Sequence, residues 1–106
     1  MAPAERIRVR VETRNGISAA KALDRIRAYT ADRNPWSVRS RRPLVLNHAS
    51  RRAQGVRFEF KRDDEGVLVV ITGGGARLGL AYAATLLANP RLADVVSSFE
   101  VQLPRS

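Results

Sequence analysis

Cysteine is absent from the chain, which removes disulfide frameworks and thiolate metal sites. Histidine occurs once, at His48, and no other cluster of metal-ligating residues accompanies it, so no metal centre is expected. No window of about 18 apolar residues exists, and the start Met1-Ala2-Pro3-Ala4-Glu5 lacks the basic-then-apolar layout of a secretory signal. A cytoplasmic protein that does not span a membrane is expected. Paired carboxylates and a nucleophile beside a base are also lacking, so the chain is not expected to be an enzyme. Acidic residues are scarce, 10 against 19 basic ones, and Lys21 and Lys61 are the only lysines.

What remains is an arginine-rich chain of 106 residues with a formal net charge of +9. That length holds one domain with an ordinary core, taken as residues 1–106. Arginine presents a planar fork that matches phosphate and stacks on bases, which favours a nucleic acid as partner. A GC-rich genome explains arginine in place of lysine, but not the excess of base over acid.

Hydrophobic periodicity places the elements. From Arg6 to Arg14, Ile7, Val9, Val11 and Thr13 fall on one face and the charged residues on the other, which predicts a strand. Asn15-Gly16 ends it, and Ser18 is the expected N-cap of a helix running to about Asp32. The apolar stripe of that helix is Ala19, Leu23, Ile26 and either Tyr29 or Thr30. Asn34-Pro35 breaks it. Residues 34–55 are irregular, with the short run Leu44-Val45-Leu46 inside them, and are expected to form a partly ordered basic arm with an extra short strand.

Val56, Phe58 and Phe60 then alternate with charges, Asp63 to Gly66 turns, and Val67 to Ile71 has no polar face, as in a central strand covered on both sides. A helix is predicted from about Ala76 to Ala88, ending near Asn89-Pro90. Phe99, Val101 and Leu103 mark a last strand. The order β-α-(arm)-β-β-α-β predicts an α+β, ferredoxin-like split βαβ fold: a four-stranded antiparallel sheet with both helices on one face. The first strand and the Val67–Ile71 strand should lie side by side at its centre. The open face should then carry Arg6, Arg8, Arg10, Arg57 and Lys61 with Glu59, Glu100 and Gln102, around a strip of aliphatics, either Leu68 and Val70 or Val67, Val69 and Ile71.

Thr72-Gly73-Gly74-Gly75-Ala76-Arg77-Leu78-Gly79 resembles the glycine fingerprint of short-chain dehydrogenases, which implies a dinucleotide at the helix N-terminus. Arg77 occupies the place of the middle glycine, only 27 residues follow Gly79, and no lysine follows Lys61. No cofactor is therefore expected; the glycines permit an abrupt strand-to-helix reversal, and the helix N-terminus with Arg77 can hold one phosphate. The element order resembles that of the RNA-recognition motif, but the two central strands carry none of the aromatics on which that family stacks bases.

The expected nucleic-acid contacts are Arg8 and Arg10 from the sheet, Arg39, Arg41, Arg42, Arg51 and Arg52 from the arm, and Arg77. Trp36 would stack on a base if exposed; as the lone tryptophan of a small domain it can equally plug the core. RNA is preferred to DNA as the ligand. The Leu78–Leu87 stretch is apolar nearly all round, which predicts a homo-oligomer or partner-protein interface. The alternative to nucleic-acid binding is an assembly module using the open sheet face and this second helix.

Overall fold

The alternation read from Arg6 onward produces a strand, β1 (Glu5–Thr13), in the computed structural model, which describes residues 5–102. Ser18 caps α1 (Ala19–Ala31), its side-chain oxygen accepting from the backbone N–H of Lys21 at 3.1 Å. Strands β2 (Trp36–Arg41) and β3 (Leu44–His48) follow, then a short 3-10 turn, Arg51–Ala53. The chain continues with β4 (Arg57–Asp63), β5 (Gly66–Gly73), α2 (Ala76–Leu87), a second 3-10 turn at Pro90–Leu92, and β6 (Val96–Gln102). Leu103, assigned above to the last strand, lies outside the described residues.

The architecture is α+β, with two helices and one antiparallel sheet. The sheet has six strands in the order β2-β3-β4-β5-β1-β6, not the four expected. The two additional strands come from residues 34–55. That segment is no loose arm: Trp36 pairs with His48, Val38 with Leu46 and Arg41 with Leu44 across the two-residue turn Arg42-Pro43. Its irregular sequence pattern has a physical cause. Arg39 is an extra residue between Val38 and Ser40, a bulge that shifts the alternation of one strand halfway along. Both faces of β3 are also buried at Leu44, Val45 and Leu46, so no period of two is left to read.

At the centre of the sheet β1 lies beside β5, as Val67 to Ile71 required, with Val9 opposite Val69 and Ile7 opposite Ile71. One core joins Ile7, Val9, Val11, Phe58, Phe60, Val67, Val69 and Ile71 of the strands to Ala22 and Ile26 of α1 and to Ala83, Leu86 and Leu87 of α2. Phe58 and Phe60 are among the largest fully buried side chains; truncating either to alanine costs about 3–5 kcal/mol. The stripe of α1 is centred one residue away from the reading above, on Ala22, Ile26 and Thr30, with Ala19, Leu23 and Tyr29 at its margin. Thr30 is tolerated there because its hydroxyl donates to the Ile26 carbonyl at 2.8 Å.

Candidate nucleic-acid interface

The strand face away from the helices carries the alternate residues. Arg8 sits opposite Val70, Val70 opposite Glu59, and Glu59 opposite Val45; Arg10 sits opposite Leu68, and Leu68 opposite Lys61. The aliphatic strip is therefore Leu68 and Val70, extended by Val45. Val45 and Val70 are only 2% and 4% exposed although neither belongs to the helix-side core. Long charged side chains on a sheet cover apolar neighbours with their methylene stems.

Three of those charges are matched by acids. The Arg10 guanidinium donates to both carboxylate oxygens of Asp63, at 2.7 and 2.8 Å, and lies 3.7 Å from Glu65. The hydrogen bond from Arg10, helped by the Glu65 backbone N–H, holds the Asp63 carboxyl below its ordinary range, and the same bond raises Arg10. Arg57 and Lys61 share Glu59, at 3.5 and 3.7 Å. Of the cations on this face, Arg10, Arg57 and Lys61 are thus paired with acids. Among the described residues, Glu12 and Glu100 share the face without an ion pair, and Arg6 has no ion-pair partner. Arg10, expected to pair with phosphate, is committed to Asp63. Arg8 remains exposed beside it and has no ion-pair partner among the described residues.

The arm arginines are separated by the hairpin into two groups. Arg41 and Arg42 stand at its turn; Arg51 and Arg52 follow its far end, about 14 Å away along β3 at 3.4 Å per residue. Arg39 projects from the bulge of the outer strand. At the turn, β3 begins opposite Phe60, whereas β4 continues to Asp63. This leaves a notch in the sheet. Helix α1 forms its other wall, and the result is an open groove of about 580 Å³. Arg27, Arg41, Arg42 and Arg62 line it with Lys61, against Asp24 and Glu59. None of the four arginines has an ion-pair partner among the described residues. Arg27 and Arg62 were missed in the sequence, since they lie on a helix and a strand remote from the arm; only the fold shows that they share its groove.

The packing bears on three of the expectations. Trp36 is 8% exposed, wedged edge-on against Phe58 at 5.0 Å and His48 at 4.8 Å between ring centroids, so its faces are not open for base stacking. Arg77 is turned onto Glu5 at 3.2 Å. The glycine turn before α2 is a packing device: a Cβ on Gly73 would fall on the Gly55 carbonyl, and one on Gly79 would lie 2.8 Å from Val56 Cγ1. The segment after the first 3-10 turn therefore covers this strand-to-helix junction, with φ of +126° at Gly73.

Helix α2 buries Ala76, Gly79, Ala83, Leu86 and Leu87, and turns Arg77, Ala81, Thr85 and Ala88 outward. Leu78, Leu80, Tyr82 and Ala84 are half-buried. Near its end a second recess of about 510 Å³ opens between the two helices and the hairpin. His48 stacks on Tyr82 there with ring centroids 4.0 Å apart, and its ring accepts at Nδ1 from the Ser50 N–H at 3.1 Å. Burial pushes His48 below its ordinary value. No group of three metal-ligating side chains is found among the described residues. No family model matches this chain, and neither a characterised protein nor a solved structure matches it.

Proposed function

We propose that the protein is a non-enzymatic nucleic-acid-binding domain that takes single-stranded or irregular RNA in preference to DNA, with phosphates seated in the groove between α1 and the β2–β3 turn. The observation that carries this reading is the convergence of Arg27, Arg41, Arg42 and Arg62 on one groove with no ion-pair partner among the described residues. Four guanidinium forks facing one channel suit successive phosphates of a backbone, and a groove beside a helix suits a strand better than a duplex. Arg8 and Arg39 extend the basic surface; Arg51 and Arg52 form a separate patch. A cytoplasmic location goes with this ligand.

The fold belongs to the same proposal. With the β2–β3 hairpin set aside, the order β4-β5-β1-β6 is that of a split βαβ, so we read a ferredoxin-like core widened by a hairpin whose turn supplies the groove.

The test is binding of a fluorescent single-stranded RNA oligomer followed by anisotropy over a range of salt. The expected result is a linear loss of log affinity with log salt, with a slope near −0.7 per phosphate engaged, roughly −3 for four contacts. Affinity that holds or tightens with salt would overturn the reading. Protein purified without nuclease should also carry an elevated ratio of absorbance at 260 to 280 nm.

A second reading, an assembly module, is supported by β6. It is an outer strand without proline or lysine, and its Phe99 and Val101 are only partly covered. A homodimer formed there by strand pairing fits better than one through α2, whose outward residues are mostly small. Light scattering after size-exclusion chromatography decides it: a monomer at high salt and high concentration rejects this reading.

A further inference from the structure

The recess between the helix ends has a composition that differs from the basic groove. Its walls are Tyr29, Trp36, His48 and Tyr82, with Arg33 and Asn89 at the rim. A concave, mostly aromatic site with a few polar groups is the usual form of a pocket for a small planar ligand. The polar groups here include several donors, beside the amides of Asn34 and Asn89 and the Thr85 hydroxyl, which can also accept. Because Nδ1 of His48 accepts from Ser50, the proton of the neutral ring sits on Nε2, a free donor. The Tyr29 hydroxyl accepts from Asn89 Nδ2 at 2.8 Å and keeps its own proton to give. Trp36 lines the recess, and its indole N–H has no acceptor among the described residues. Arg33 lies over the Tyr29 ring at 4.6 Å, its charge directed to the same rim.

We propose that this recess takes one keto-bearing heteroaromatic ring, a base of the uracil or guanine type, with the ring set between Tyr29 on one side and the closed His48–Tyr82 stack on the other and its carbonyl oxygens accepting from these donors. The complementarity is of charge and hydrogen bonding: Arg33 suits a ring attached to a phosphate, the donors suit its carbonyl oxygens, and the oxygens of Asn34 or Thr85 suit its ring N–H. The proposal rests on the nucleic-acid reading for the source of the base. The recess borders Tyr29 of α1 and Arg33 just beyond its end, and the groove borders Ala20 to Arg27, so Tyr29 lies about 8 Å along the helix from the middle of the groove at 1.5 Å per residue. One strand can therefore set its phosphates in the groove and turn a base into the recess.

Trp36, the only tryptophan, lines the recess and reports on it directly. The experiment is quenching of Trp36 emission by uridine 5′-monophosphate and by a uridine oligomer. It uses the natural chain, Thr85→Phe to fill the mouth from the exposed face of α2, Thr85→Ala as the fold-neutral control, and Arg41→Gln with Arg42→Gln. The mononucleotide should quench saturably at millimolar concentration. Thr85→Phe should weaken this by about tenfold or more, while Thr85→Ala and the arginine pair leave it in place. No saturable quenching, or full quenching in Thr85→Phe, overturns the assignment of the recess. If the oligomer then still binds through Arg41 and Arg42 by anisotropy, the reading of the groove stands alone. If instead the mononucleotide behaves as expected and no oligomer binds, the recess is a site for a free nucleotide and the reading of the groove falls.

Discussion

The open sheet face and the groove beside the hairpin turn hold similar numbers of cations and differ in what faces them. On the sheet, Arg10 is clamped by Asp63, and Arg57 and Lys61 divide Glu59. In the groove, Arg27, Arg41, Arg42 and Arg62 have no such partner among the described residues. A phosphate arriving at Arg10 must displace a carboxylate that already makes two charge-assisted hydrogen bonds, whereas the groove arginines make none among the described residues, although Asp24 and Glu59 share their lining. Net charge therefore locates no site by itself. The proposed site is where the arginines are left unpaired.

The largest effect should come from removing the groove charges together. Arg27→Gln, Arg41→Gln, Arg42→Gln and Arg62→Gln combined should lower affinity for a single-stranded oligomer at least tenfold and flatten the salt slope by roughly 3, as about 0.7 per lost contact implies. Unchanged affinity would erase the distinction between the two surfaces.

A smaller gain of function tests the distinction from the other side. In that groove-deficient background, Glu59→Gln with Asp63→Asn frees Arg10, Arg57 and Lys61 on the sheet. Binding at low salt should recover several-fold, on the order of one or two phosphate contacts. If anisotropy shows no recovery, pairing with acids is not what silences the sheet.

Arg51→Gln with Arg52→Gln should matter less. These residues lie a β3 strand away from the groove, farther than the screening length of about 8 Å at physiological salt, so affinity should change by less than about threefold.

The smallest effects concern stability against pH. Burial lowers His48 in the folded chain, so the unfolded chain binds more protons between the lowered value and the ordinary 6.5. The full contribution is present above 6.5 and is lost as pH falls through that window. His48→Phe should flatten this part of a thermal-melt series. Asp63 is lowered mainly by its bond to Arg10, so its contribution is present above the ordinary 3.8 and is lost as pH falls through the lower folded value. Asp63→Asn should remove that second, more acidic step.

Much of the molecule was legible from local pattern. Alternation marked β1, Ser18 marked the start of α1, and the apolar run from Val67 to Ile71 marked the central strand beside β1. The hairpin was not, because the bulge at Arg39 breaks the period of two and Leu44 to Leu46 shows none. Among the arginines that line the groove, Arg41 and Arg42 were singled out in the sequence. Arg27 and Arg62 carry no local signal that separates them from other surface arginines.

The sequence alone determined the α+β class, the helix and strand positions outside the hairpin, and the sign and size of the charge, since each follows from spacing within a few residues or from composition. The tertiary structure decided which charges are free. Arg10 meets Asp63 across 53 residues because β4, β5 and β1 align in one register. It also buried Trp36 and brought α1 against the β2–β3 turn. Ion pairing and burial fall off within a few ångströms, so they depend on neighbours in space, and those neighbours exist only once the sheet has closed.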